Sequence, residues 1–382
     1  MKGFKNVKVY VENQGIVTTS IGVEDGRIVK IGNIDNVEQY CDVQENWIVV
    51  PGFIDQHVHG AAASDAMDGT VEDINKIACA LAKEGTTAFL PTTMTQSPEN
   101  ITKALEAIKE YIESNPETGS KVLGVHLEGP FISPDFIGAQ PLEYVARPDV
   151  EVFKKYQTAS GDNIRIVSLA PEVEGSAELI KYLKENNIVA SIGHTNSKHA
   201  DIEAGIKAGL SNVTHTFNAQ KPLHHREIGT VGSALLFDEL NCELICDTIH
   251  VCVPAIKLVI KTKPHDKVTL VTDAMRAKHM PDGLYELGGQ PVVVKNGEAR
   301  LTNGTLAGSV LRMNHAVRNV HKQAGVELTH VLDMASLNPA LNLGVAEDRG
   351  SIKVGKYADL VVLDENFEVV MTIAEGRVIY QR

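Results

Sequence analysis

The chain predicts an α/β fold, a (β/α)8 barrel with a small β-sandwich domain built from both termini. Three observations predict it. Short apolar runs alternate with helical patterns through the middle of the chain, and eight such runs can be counted. Both ends are β-patterned instead. Polar residues of metal-ligating type recur where the apolar runs stop, as expected at the mouth of a barrel.

The N-terminal segment, residues 1–50, opens with the alternating run Val7-Lys8-Val9-Tyr10-Val11. Glu24-Asp25-Gly26-Arg27-Ile28-Val29 then reads as a strand–turn–strand corner. The end of the chain, residues 350–382, repeats the theme with an apolar run at 358–363 and the similar corner Ala374-Glu375-Gly376-Arg377-Val378-Ile379. The two ends are therefore expected to form one discontinuous β-domain rather than two unrelated edge hairpins.

Residues 51–349 are expected to form the barrel. Its strands are predicted at 48–59, 86–92, 122–128, 164–170, 188–194, 212–216, 243–248 and 268–273. Between them, 71–83, 101–112 and 177–183 carry apolar residues at helical spacing. Parallel βα units follow from this alternation, and eight of them imply closure; a doubly wound open sheet is the alternative. Residues 276–309 break the pattern. Val292-Val293-Val294-Lys295-Asn296-Gly297-Glu298-Ala299-Arg300-Leu301 reads as a hairpin with an Asn-Gly turn, expected as a flap over the mouth or, more plainly, as a decorative hairpin. Helix resumes at 316–324 and 331–337.

Composition narrows the function. With 382 residues, 43% hydrophobic and 22% charged, the chain is ordinary for a globular protein with a sizeable core. A net charge of −13 argues against nucleic-acid or anionic-membrane binding, which needs a basic face. An anionic small molecule would need local positive groups. Cys242, Cys246 and Cys252 match no zinc-finger spacing and are expected as buried, unpaired core residues, which fits a reducing cytoplasm. No run approaches the roughly 20 apolar residues of a membrane helix, and the N-terminus shows no secretory pattern. A cytoplasmic protein is expected.

The polar residues at the strand ends carry the chemistry. His57 and His59, two apart on a strand, point to the same face. Glu128 ends the third predicted strand, His194 the fifth, His215 the sixth and Asp273 the eighth. One histidine after a strand is usually structural. Four histidines and two carboxylates converging on one mouth would stay uncompensated unless something binds them, and a divalent metal is the simplest binder. Nitrogen and oxygen ligands without thiolate suit zinc, iron, manganese, cobalt or nickel, and the sequence does not choose. Such an ion lowers the pKa of water to about 7, and Asp273 is the candidate general base. His126 is read as structural or supporting, and His199, His265, His279, His321 and His330 as background. His315, on a helix after the hairpin, points neither way.

These residues sit in motifs: Pro51-Gly52-Phe53-Ile54-Asp55, His126-Leu127-Glu128-Gly129-Pro130-Phe131, Gly193-His194-Thr195, Thr214-His215-Thr216-Phe217-Asn218-Ala219, Val271-Thr272-Asp273-Ala274 and Leu306-Ala307-Gly308-Ser309. With them the chain resembles the amidohydrolase superfamily over essentially its whole length and, within it, the N-acetylglucosamine-6-phosphate deacetylases. The resemblance implies hydrolysis of the acetamide of a phosphorylated amino sugar. It implies that Glu128, His194 and His215 hold a principal metal, that His57 and His59 hold a second one bridged by Glu128, and that Asp273 is the acid/base. One or two ions per subunit are expected, zinc or iron first, manganese or cobalt next. Asn218, the backbone N–H of Ala219, Arg226 and His250 are implied as phosphate contacts, with Arg226 donated across a homodimer. Gln140 stands where some members carry a carbonyl-polarising histidine; glutamine can donate a hydrogen bond but cannot carry charge. Two other functions remain in view. Many cyclic-amide hydrolases bridge their metals with a carboxylated lysine, against which Glu128 discriminates. A non-catalytic relative would have lost ligands that are present here.

Overall fold

The computed structural model describes residues 1–382. Eight parallel strands run through its middle: β1 Phe53–Val58, β2 Thr86–Pro91, β3 Val125–Glu128, β4 Ile164–Leu169, β5 Val189–Ile192, β6 Leu210–Val213, β7 Asn241–Ile245 and β8 Val268–Val271. β1 pairs with β2, and β3 through β8 pair in sequence order, forming a curled parallel sheet. Strands such as β1 and β7 are buried at every position, polar residues included: β1 buries Asp55, Gln56 and His57, and β7 buries Asn241 and Glu243.

Helices cover the sheet for local reasons. Val71–Ala82 starts where the Thr70 side chain accepts from the Asp73 N–H, and it buries Ile74, Ile77, Ala78 and Leu81 on one stripe. Pro98–Ser114 starts behind Ser97 with proline in its first turn and stops at Asn115 in the left-handed region. The main core lies between these stripes and the strands.

Strands from both ends share a second sheet, in the order Arg377–Gln381, Val369–Ala374, Leu360–Leu363, Ile48–Pro51, Lys2–Val11, Gly15–Glu24, Arg27–Ile31. They form one hydrogen-bonded sheet, not the two facing sheets of a sandwich. Ile48–Pro51 is the reason: it pairs parallel to Lys2–Val11 and antiparallel to Leu360–Leu363, joining the two halves. The sheet curls around Phe4, Val9, Ile21, Leu360, Val362 and Ile373 until Arg27 bridges Tyr357.

Other boundaries differ from the sequence reading. The run 48–59 is two strands in two sheets, divided at Gly52, where a Cβ would lie 2.2 Å from the Thr87 hydroxyl. The run 122–128 is interrupted at Gly124, so Lys121–Val122 pairs with β2 and Val125–Glu128 with β4. The helix expected at 331–337 breaks at Ser336 into Leu328–Ala335 and Leu337–Asn342. The insertion is a three-stranded antiparallel sheet, Gly283–Leu287, Gln290–Lys295 and Glu298–Leu301, turning at Asn296 and Gly297 with both at positive φ. All five cysteines are free, but Cys252 is exposed, not buried: it is the residue before helix Val253–Thr262 and lies outside the packed stripe.

Candidate metal centre and substrate cavity

His194, His215 and Asp273 share a position. Each is the second residue after its strand, and each has a positive φ: 49° for His194, 31° for His215 and 48° for Asp273. The left-handed region is unfavourable for residues with a Cβ, and strain of this kind concentrates at functional sites. Here the sharp turn out of each strand accompanies a side chain aimed at one centre. Glu128 is the last residue of β3, and the following Gly129 is obligatory, since a Cβ there would sit 2.0 Å from the Thr95 hydroxyl.

Glu128 lies between two groups of histidines. Its Oε1 is 3.2 Å from His194 Nε2, 3.0 Å from His215 Nε2 and 3.6 Å from His57 Nε2. Its Oε2 is 3.2 Å from His59 Nε2. Asp273 Oδ1 is 3.1 Å from His59 Nε2 and 3.4 Å from His57 Nε2. Glu128 with His194 and His215, and Glu128 with His57 and His59, each form a buried set of ligand spacing.

Backbone carbonyls decide what these rings present. His59 Nδ1 is 3.1 Å from the Thr92 carbonyl, and His194 Nδ1 is 3.1 Å from the Phe136 carbonyl. A carbonyl only accepts, so each Nδ1 carries the hydrogen and each Nε2 offers a lone pair to carboxylate oxygens. His194 Nε2 and His215 Nε2 are moreover only 3.2 Å apart. His57 Nε2 is buried with no hydrogen-bond partner. Lone pairs facing carboxylates and one another need a cation between them. The donor set fits a divalent ion with nitrogen and oxygen ligands.

Electrostatics agree. In the metal-free chain burial pushes His59 down, but its hydrogen bonds to Asp273 and Glu128 outweigh that and raise it to about 10. Burial likewise lowers His57, but the Asp273 and Glu128 charges outweigh it and hold His57 well above its ordinary value. Glu128 is held well below the usual carboxylate range, burial being outweighed by His57, His194 and His215. Asp273 is lowered to about 2 by His57 and His59 despite its burial. Positive charge is demanded here, as protons or as metal.

His126, expected as a structural or supporting residue, is kept neutral. Its Nδ1 lies 3.1 Å from the Gln56 carbonyl and its Nε2 2.7 Å from the Ser168 hydroxyl, while burial and the nearby His57 lower it to about 4.

A cavity of about 300 Å³ opens over the centre. Gln140, Asn218, Ala219 and His250 line it with His59, Glu128, His194, His215 and Asp273. Gln140 is oriented: its carbonyl accepts the Thr95 N–H at 2.8 Å, which turns its NH2 toward Glu128 Oε2 at 2.9 Å. His250 Nδ1 is held by Asp247 at 2.6 Å. Arg226 is not in this cavity; it is exposed on a loop with its guanidinium 2.8 Å from His225 Nε2. Three residues escaped the sequence reading. Arg300 and Thr305, from the flap and its exit, line the cavity wall. Glu243 lies in β7 within hydrogen-bond reach of His57. The signal for Glu243 was present as a lone carboxylate inside the apolar run of β7.

An amidohydrolase family model matches residues 48–379. The chain is 42% identical to the N-acetylglucosamine-6-phosphate deacetylase of Bacillus subtilis (strain 168), covering 98% of this chain and 96% of that one. It is 37% identical to the N-acetylgalactosamine-6-phosphate deacetylase of Escherichia coli O157:H7, covering 86% and 87%. Its fold superposes on the crystal structure of N-acetylglucosamine-6-phosphate deacetylase from Thermotoga maritima with a TM-score of 0.90, at 36% identity and full coverage of both chains.

Proposed function

The chain belongs to the amidohydrolase family, and from that premise we propose that it hydrolyses the acetamide of N-acetyl-D-glucosamine 6-phosphate to D-glucosamine 6-phosphate and acetate. The observation that carries the chemistry is the set of histidine lone pairs converging on Glu128 beside Asp273, under one cavity. The mouth is read as that of a closed barrel, which is supported by hydrogen bonds from Asp273 N to the His57 carbonyl (2.8 Å) and from His59 N to the Ala274 carbonyl (2.9 Å).

Glu128, His194 and His215 would hold the principal ion, and His57 and His59 a second one sharing Glu128; zinc or iron suits the set, with manganese or cobalt as substitutes. When bound, the metal supplies an activated water and a Lewis-acid contact for the acetamide oxygen. Asp273 handles the proton. It starts as a carboxylate, takes a proton from the water as the new C–O bond forms, and delivers it to the nitrogen as the C–N bond breaks. Gln140, with one N–H committed to Glu128, has a second to offer the substrate carbonyl.

Asn218, the Ala219 N–H and His250 would receive the phosphate. Arg226 would reach it only from a second copy of the chain, so the complete site is read as that of a homodimer. The unpaired cysteines fit a reducing, cytoplasmic setting. No helix is long and apolar enough to cross a membrane.

The test is amine release on protein of counted metal content, from N-acetylglucosamine 6-phosphate, its unphosphorylated form and N-acetylgalactosamine 6-phosphate. Fast release from the first alone is expected. Equal release without phosphate would remove the phosphate pocket, and preference for the galactose epimer would move the assignment to the activity named for the E. coli relative.

A further inference from the structure

Glu243 lies in the middle of β7, fully buried, with four N–H groups aimed at its carboxylate. On Oε1 converge Gln56 Nε2 at 2.7 Å and Asn212 Nδ2 at 3.1 Å. On Oε2 converge His57 Nδ1 at 3.1 Å and the backbone N–H of His215 at 3.2 Å. Gln56 and Asn212 are in turn held by Asn342, which reaches Gln56 Oε1 at 3.1 Å and Asn212 Oδ1 at 3.2 Å. Both side-chain donors on Oε1 are therefore set by one shared partner.

Only an acceptor on both oxygens satisfies this arrangement. It also fixes a proton. A carboxylate facing His57 Nδ1 keeps the hydrogen on Nδ1 and leaves Nε2 bare, and Nε2 is the buried atom with no hydrogen-bond partner that faces Glu128 and Asp273. His59 and His194 obtain the same tautomer from backbone carbonyls, but His57 obtains it from a side chain. The trio His57, His126 and Glu243 has ligand spacing of its own. It is a hydrogen-bonded support and not an ion site, because both nitrogens of His126 and both oxygens of Glu243 are already engaged.

We propose that Glu243 is the positioning residue of the metal subsite formed by His57 and His59: it holds His57 in the tautomer that can ligate and, through the His215 N–H, ties that ring to the backbone of the neighbouring subsite. This rests on the reading of the mouth as a metal centre. A hydrogen-bonded carboxylate behind a ligating histidine orients the ring and raises its basicity, and losing such a partner typically lowers metal affinity by about 10- to 100-fold.

The experiment is Zn2+ binding to the full-length chain, with stoichiometry counted after dialysis and affinity measured by chelator competition, for wild type, Glu243→Gln and Glu243→Asp. In Glu243→Gln the amide must turn its NH2 toward one pair of donors. Turned toward His57, it drives the proton to Nε2. The expected result is loss of one ion per chain or a 10- to 100-fold weaker second ion, retention of the ion at Glu128, His194 and His215, and partial recovery in Glu243→Asp. Unchanged Zn2+ binding in Glu243→Gln overturns the proposal. Wild-type protein that binds no Zn2+ overturns the metal reading itself, a different result. Should the variants not fold, the histidine ring 15N–1H spectrum of Zn2+-loaded wild type decides alone. His57 must show its hydrogen on Nδ1 with Nε2 ligated, and a ring bonded to metal through Nδ1 rejects the role given to Glu243.

Discussion

Two regions bury charge and treat it in opposite ways. Near the terminal sheet, Arg349 sits between Asp359 and Glu375, with its guanidinium 2.6 Å from Asp359 and also paired to Glu375. The Tyr357 ring lies 4.5 Å below it, and the Glu375 N–H returns to Asp359 at 2.8 Å. Every group there has a partner within the chain. At the mouth, Glu128 and Asp273 face histidine nitrogens whose lone pairs point at them, and His57 Nε2 has no partner at all. The closed cluster is complete within residues 349–375; the open one asks for something the chain does not contain. Buried charge marks function where its accounting is left incomplete, not where it is dense.

The largest expected effect breaks the comparison from the open side. Asp273→Asn keeps the shape and the hydrogen-bonding reach but removes the proton carrier. Turnover should fall by about 10²- to 10⁴-fold, with metal content unchanged and little loss of folding stability. Steady-state kinetics beside metal analysis checks this; near-wild-type turnover would take Asp273 out of its role.

The closed side should fail differently. Arg349→Met leaves Asp359 and Glu375 facing each other without their cation, and breaking such a buried pair costs about 3 kcal/mol or more. Chemical denaturation should show that loss, while metal stoichiometry stays as in wild type. If stability is unchanged, the cluster is not the clamp its geometry suggests.

Much of this contrast was readable in the sequence, but only on one side. The open cluster was legible because its members fall at strand ends, where periodicity stops and an imidazole or carboxylate stands out, as at His194, His215 and Asp273. Glu243 stood out only as a lone carboxylate in an apolar run; its role was not legible, because it depends on partners 31 and 187 positions away in the chain. Ile48–Pro51 was misjudged for a related reason: an apolar run does not say which sheet it joins, and the division at Gly52 follows from contact with Thr87. Arg349, Asp359 and Glu375 lie in no motif, and only the fold of the terminal sheet brings them together.

Acidity sharpens the comparison at a smaller scale. In the metal-free chain His59 is raised to about 10 from an ordinary value near 6.5. A raised histidine contributes stability that is fully present below its unfolded pKa and is lost as pH rises through the folded one. Metal-free protein should therefore melt a few degrees lower at pH 10 than at pH 6.5, by an amount that exceeds the change in metal-loaded protein, where the ion replaces the proton. Parallel melting curves for the two forms across that range would show that the mouth does not need positive charge.

The smallest effect concerns the flap, which belongs to neither cluster. Arg300 lines the cavity with its Nε 2.7 Å from Glu298 and one terminal nitrogen 2.7 Å from the Gly304 carbonyl. Its side chain is 42% exposed, so water screens whatever it offers a phosphorylated sugar. At such exposure a charge contact is worth about 1 kcal/mol at most. Arg300→Met should thus raise KM for the phosphorylated substrate by about fivefold or less, leave kcat nearly unchanged, and leave the unphosphorylated sugar unaffected. A large fall in kcat would instead place the flap in the chemical step. The flap would then join the open cluster, and the line between positioning the sugar and holding the metal would have to be redrawn through Arg300.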